Sequence, residues 1–130
     1  MSLRFGDTPC NRWLGFRLLH RSAERVEIEQ PVRPEMLQET GVVQGGLLTA
    51  LADTAAVYLL WPDLSATQTM TGTTVSMNFL AGAVLSEAPL RATAVPVRIG
   101  RTLAVCDSYI HQGERMVAKG TFTFLLRDKR

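Results

Sequence analysis

Cysteine, lysine and histidine are all scarce in this chain of 130 residues. The two cysteines, Cys10 and Cys106, are too few for a disulfide framework and lack zinc-ligand spacing. Unpaired thiols make a reducing cytoplasm the expected home. No apolar run reaches the roughly 18 residues of a membrane-spanning helix, because Asp53, Pro62 and Asp63 interrupt the most apolar stretch. The amino terminus, MSLRFGDTPC, has no apolar segment behind its arginine and reads as no secretory leader. Only 14 basic residues stand against 12 acidic ones, and a net charge of +2 does not argue for a nucleic-acid partner. With 46% apolar residues, 10 Gly and 6 Pro, neither disorder nor a collagen-like repeat fits. The length suits one domain over residues 1–130.

Charge is also missing from the middle of the chain. No lysine or arginine lies between Arg33 and Arg91, and from Thr40 to Ser86 the only formal charges are Asp53 and Asp63. The middle third is therefore expected to be a buried core element between two surface-bearing halves. An acidic side chain inside it needs a reason.

What is present follows two periods. Asp7, Thr8 and Pro9 read as a helix start. Phe16 to Leu19 and Arg25 to Glu29 alternate, with Val26 and Ile28 facing one way, as a strand pair or one bent strand. Gln44 to Leu60 is apolar or small nearly all round, the mark of a buried helix, and Trp61-Pro62-Asp63 stops it. Beyond it the period becomes two, with strands expected at Thr73 to Phe79, Leu90 to Arg98, Thr102 to His111 and Met116 to Leu126. One buried helix and about five strands, most of them joined by hairpins, define an α+β fold with an antiparallel sheet around a central helix.

Two features could carry chemistry. Asp53 would lose hydration among apolar neighbours that cannot replace it, and no basic residue lies within a helical turn. It either faces a solvent gap, bonds a neighbour such as Thr54, or is used. Gly45-Gly46 open the same helix, where first-turn N–H groups lack intrahelical partners and a carbonyl could approach the backbone; the glycines could equally just fit the bend. Eight residues separate Gly45 from Asp53, or about 12 Å along a helix axis. One chain cannot aim both at one carbonyl, whereas a two-fold dimer with adjacent helices could.

These residues resemble the hotdog-fold acyl-CoA thioesterases, particularly the phenylacetic-acid-degradation type, over nearly the whole chain. The resemblance rests on Met36-Leu37-Gln38, on Gly41-Val42-Val43-Gln44-Gly45-Gly46 and on Leu51-Ala52-Asp53-Thr54-Ala55. Further matches are Thr74-Val75-Ser76-Met77-Asn78-Phe79, Gly100-Arg101-Thr102-Leu103-Ala104 and Gly113 to Gly120. It implies that Asp53 activates water or attacks the thioester, that the Gly45 N–H polarises the carbonyl, and that Gln38, Gln44 and Thr74 position the reacting groups. Gln38 and Gln44 stand where that family usually has Asn and His. Both keep hydrogen-bonding ability, but Gln44 cannot carry charge or transfer a proton.

The same resemblance implies an acyl-CoA substrate, no cofactor or metal, and a homodimer or dimer of dimers, with neither nucleic acid nor membrane as partner. Gly46 and Met77 would line the substrate. Arg98 and Arg101, flanking Gly100, would meet the phosphates of coenzyme A, with Arg91 behind them, unless they are merely solvated hairpin arginines. Tyr58, Trp61 and Phe79 could shape the acyl pocket or be plain core. A module that binds acyl-CoA without hydrolysing it is the alternative, and His20 and His111 read as ordinary sheet residues.

Overall fold

The computed structural model describes residues 5–129. Residues 1–4, part of the stretch read above as lacking a leader, and Arg130 at the end of the tail lie outside the described residues. Helix α1 (Pro9–Leu14) opens at Thr8 with proline in its first turn and closes at Gly15, whose φ of 75° suits a residue without a Cβ. Strands β1 (Arg17–Arg21) and β2 (Val26–Gln30) follow as a pair rather than one bent strand. Helix α2 (Gly45–Leu60) comes next, then a 3-10 turn at Trp61–Asp63. Strands β3 (Gln68–Phe79), β4 (Leu90–Ile99), β5 (Leu103–Gln112) and β6 (Arg115–Asp128) complete the described elements.

All six strands form one antiparallel sheet in the order β1-β2-β4-β5-β6-β3, and α2 packs on β2, β4, β5 and β6. A sheet curled around one central helix is the expected hotdog architecture. Composition explains the close fit. The buried face of β4 and β5 carries Ala92, Ala94, Ala104, Cys106 and Ser108, opposite Ala52, Ala55 and Ala56 of the helix, and small residues let backbone approach backbone. Larger side chains, Leu51, Leu59, Ile110, Phe122 and Phe124, fill the remaining volume and are buried. Each fully buried side chain of that size contributes about 1.5–3 kcal/mol of transfer free energy. No helix among the described residues is long and apolar enough to cross a membrane.

The two ends of α2 are held differently. At its carboxyl end, Arg21 of β1 donates to the carbonyls of Tyr58 (3.0 Å) and Leu59 (3.1 Å) and forks onto Asp63 at 3.2 and 2.9 Å. That accounts for Asp63, one of the two charges in the neutral stretch: a guanidinium satisfies the last-turn carbonyls and an aspartate pairs with it. Pro96 is tolerated inside β4 because β2 pairs only as far as Ala94 and the β4–β5 register shifts beside the proline.

β3 corrects the expectation that the whole middle third is buried. It runs from Gln68 rather than Thr73, pairs only with β6, and is half-buried at best. Val75 and Phe79 are 50% and 54% exposed. The lack of charge here belongs to an uncharged sheet edge, a surface ready to pair with another strand.

Candidate active site

Gln44 precedes α2 in an extended conformation (φ −60°, ψ 135°), and its own N–H donates to Met36 at 2.9 Å. The Gln44 carbonyl accepts from Leu47 and Leu48. The N–H groups of Gly45 and Gly46 have no partner among the described residues, as the first positions of a helix dictate. Both point from the positive end of the helix dipole. The Phe79 ring covers Gly45, so that a Cβ built there would lie 3.2 Å from two of its carbons. Gly46 is exposed, and Gln44 Oε1 lies beside it. Gln38 is brought to the same place by a bridge between Leu37 and Val43 and donates its N–H to Val42 (2.8 Å). Its amide oxygen is occupied by the backbone N–H and hydroxyl of Thr40, which leaves the NH₂ to act elsewhere.

Asp53 stands half-buried on the open side of α2, in the wall of a cavity of about 640 Å³. Val57, Trp61, Leu64, Met70 and Phe124 supply the apolar part of its wall, and Ser65, Gln68, Thr69 and Lys129 a polar part nearly as large. Burial pushes the Asp53 carboxyl above its ordinary value of 3.8, because the charged form loses water that these walls do not replace. Thr54 is not its partner: that hydroxyl donates to the Ala50 carbonyl at 2.8 Å. Asp53 has no hydrogen bond or ion pair with any described residue. An unpaired, half-buried carboxylate with a raised pKa beside a partly apolar cavity is suited to accept a proton or attack an electrophile. Among the described residues no cluster of three or more His, Cys, Asp or Glu could hold a metal ion.

The chain does not bring all the expected residues together. Gly45 and Asp53 lie eight residues apart on one unbroken helix, about 12 Å along its axis. Thr74 does not face Asp53 of its own chain. It pairs with Thr123, between Phe122 and Phe124, which point to the core, so it faces away from α2 and from Asp53. It shares that face with Ser76 and Asn78, as alternation along the strand requires. Met77 packs over Gly120 instead of lining the Asp53 cavity. Tyr58 is core, its hydroxyl 3.3 Å from Asn11 Nδ2 and 3.4 Å from Thr8 Oγ1. Arg98 and Arg101 are exposed at the β4–β5 turn, and Gly100 is tightly placed with a Cβ position 2.8 Å from the Leu103 carbonyl. Gly100 and Arg101 line a smaller cavity that shares Leu64 and Gln68 with the larger one. Arg91 is not behind them, because β4 carries it seven residues away, about 24 Å.

Sequence reasoning missed Ser65, Gln68, Thr69, Met70, Phe124 and Lys129 as cavity residues. Alternation could not have found them, because the register shift between Gly72 and Thr74 breaks the period and turns Met70 and Gly72 to the face that Val75, Met77 and Phe79 share. The cysteines are unpaired, and burial next to Asp107 pushes the Cys106 thiol up to about 11, an inert core position.

With this geometry in view, comparison with known proteins assigns the class. Residues 40–119 match the profile of the thioesterase superfamily, a span that takes in α2, Asp53 and β3 to β5. The chain belongs to that superfamily, whose members are thioester hydrolases. It is 33% identical over 106 residues to ComA2 of Bacillus subtilis (strain 168), which bears an esterase name; the match covers 80% of this chain and 82% of that protein. Among solved structures, AziG of S. sahachiroi is 27% identical with a TM-score of 0.86, over 94% of this chain and 97% of AziG. The E. coli PaaI protein, from the phenylacetic acid degradation operon, shares the fold at 23% identity and a TM-score of 0.84, over 93% and 86% of the two chains.

Proposed function

We propose that this protein hydrolyses acyl-CoA thioesters, with Asp53 as general base or nucleophile and a Gly45 N–H from a second copy of the chain polarising the carbonyl. One observation carries the reading: the Asp53 carboxyl is half-buried, unpartnered among the described residues, and set in the wall of the cavity beside Val57 and Trp61. In the general-base route a water oxygen bonds the carbonyl carbon while its proton passes to Asp53. The carbon–sulfur bond then breaks, and the departing CoA thiolate takes that proton. The unpaired N–H groups of Gly45 and Gly46 suit the developing oxyanion, and the amides of Gln44 and Gln38 suit orientation of thioester and water. Arg98 and Arg101 offer cations to the phosphates.

The 12 Å axial separation is the reason for a second copy, and the unpaired, uncharged edge of β3 is the surface that supports one. A homodimer with two equal sites follows, and dimers could stack in pairs. The test is CoA thiol release from a panel of aryl, short-chain and medium-chain acyl-CoA esters. Release lost in Asp53→Ala at unchanged assembly supports the proposal, and full release in that variant refutes it. A second reading, binding without hydrolysis, is favoured by one observation: Gln44, immediately before the unpaired N–H groups of α2, has a neutral amide that cannot serve as a general acid or base. It predicts saturable acyl-CoA binding with no thiol release.

A further inference from the structure

The cavity beside Asp53 carries a large aromatic ring in its wall. Trp61 follows the last residue of α2, eight positions beyond Asp53, and Val57 lies between them on the same wall. That places the Trp61 backbone about 12 Å from that of Asp53 along the helix direction, with both side chains lining the cavity. The ring is held from behind. It meets Tyr58 edge to face with centroids 5.9 Å apart, Tyr58 meets Phe5 at 4.7 Å, and the Tyr58 hydroxyl lies within hydrogen-bonding distance of Asn11 and Thr8. A stack fixed at three points on the amino-terminal segment makes Trp61 a wall rather than a flap.

From this we infer that Trp61 sets the acyl length this protein accepts, with the acyl chain lying from Asp53 past Val57 to the indole. The inference rests on the proposed thioester hydrolysis and names its substrate class: linear acyl groups of up to roughly eight carbons, since an extended zigzag of bonds about 1.5 Å long advances about 1.25 Å per bond and the chain end keeps about 3.5 Å from the indole. The walls favour the acyl chain over the CoA arm. On the path from Asp53 to the indole, Val57 offers no hydrogen-bonding group, and Leu64, Met70 and Phe124 add apolar surface, whereas Ser65, Gln68, Thr69 and Lys129 supply the polar groups elsewhere in the lining.

Two experiments test it. The first compares kcat/KM for butyryl-, octanoyl- and lauroyl-CoA in the parent, Trp61→Ala and Val57→Phe. Shortening the wall should raise lauroyl relative to butyryl turnover at least about tenfold, the lower end of what one methylene is worth in an apolar pocket. Filling the middle of the groove should lower octanoyl relative to butyryl turnover by a similar factor. A chain-length profile unchanged in both variants overturns the inference while leaving the hydrolase reading intact. A parent that cleaves no ester instead overturns the hydrolase reading.

The second experiment needs no catalysis and no disruptive change. Trp13, 74% exposed on α1, is replaced in Trp13→Phe, leaving Trp61 as the sole tryptophan. Non-hydrolysable acyl-CoA thioethers are then titrated while its emission is followed. An emission shift that is absent with free CoA and the acetyl thioether and appears at the octanoyl thioether supports the inference. Emission that stays fixed when the octanoyl thioether binds, or that shifts fully with free CoA, overturns it.

Discussion

The shared site makes a quantitative prediction about mixed assemblies. Two variants are needed, one blind in Asp53 and one blind at the helix N-terminus. Asp53→Asn removes the base and keeps the shape. Gly45→Pro removes the N–H and keeps the helix, because proline is at home in the first helical position and Gln44 already has the extended conformation that a following proline requires. The neighbour that must yield is the exposed Phe79 ring, 3.2 Å from a Cβ at this position. Alone, Asp53→Asn should lose about 10²–10⁴ in kcat and Gly45→Pro about 10²–10³, the usual contributions of a general base and of one oxyanion donor.

Mixed in equal amounts, unfolded and refolded together, half of the dimers are heterodimers. Each contains one site built from an intact Asp53 of one copy and an intact Gly45 of the other. Half of the dimers with half of their sites intact restores about one quarter of the parental rate, at least tenfold above either variant alone. The assay is thiol release after remixing, with equal assembly confirmed by size. If Asp53 and Gly45 act within one copy, every site in the heterodimer carries one lesion and no activity returns. That result would refute the argument from helix length.

Asp53 also makes a pH prediction. Its carboxyl is raised by burial above 3.8, so folding favours the protonated form. The stabilisation is fully present below the unfolded value and is lost as pH rises through the folded one. Thermal melting across the acid range should therefore show Asp53→Asn gaining on the parent as pH rises, and the parent's rate should climb with an acid limb above 3.8. A parent and variant that melt in parallel at every pH would contradict the burial argument. Arg21→Ala removes the fork onto Asp63 and two bonds to the helix end. With Asp63 largely in water, the expected cost is about 1–2 kcal/mol, read as a lower urea midpoint with unchanged slope.

The architecture was legible because it is local pattern repeated. The uniform apolarity of α2 and the alternation in β4, β5 and β6 locate those elements to within a few residues. Asp53 was legible for a related reason, since an unpaired charge in an apolar helix is conspicuous on either side of folding. What failed depended on register and on what is absent from one chain. Thr74 keeps the outward face that alternation with Ser76 and Asn78 gives it, whereas the shift between Gly72 and Thr74 turns Met70 and Gly72 inward, which no period announces. β3 lacks charge as a core strand would, but it is a sheet edge. Ser65, Gln68 and Lys129 meet only because the turn after α2 and the end of β6 close on the same cavity, a contact between segments some sixty residues apart that periodicity does not encode.

The most direct test of the central claim is thiol release from an acyl-CoA ester that the parent cleaves, measured for parent and Asp53→Asn at matched assembly, with binding of the non-hydrolysable thioether followed in both. The account predicts that binding survives within a few-fold while turnover falls by about 10²–10⁴. Turnover in the variant close to that of the parent, with the same assembly and the same binding, would contradict a role for this carboxylate in thioester hydrolysis.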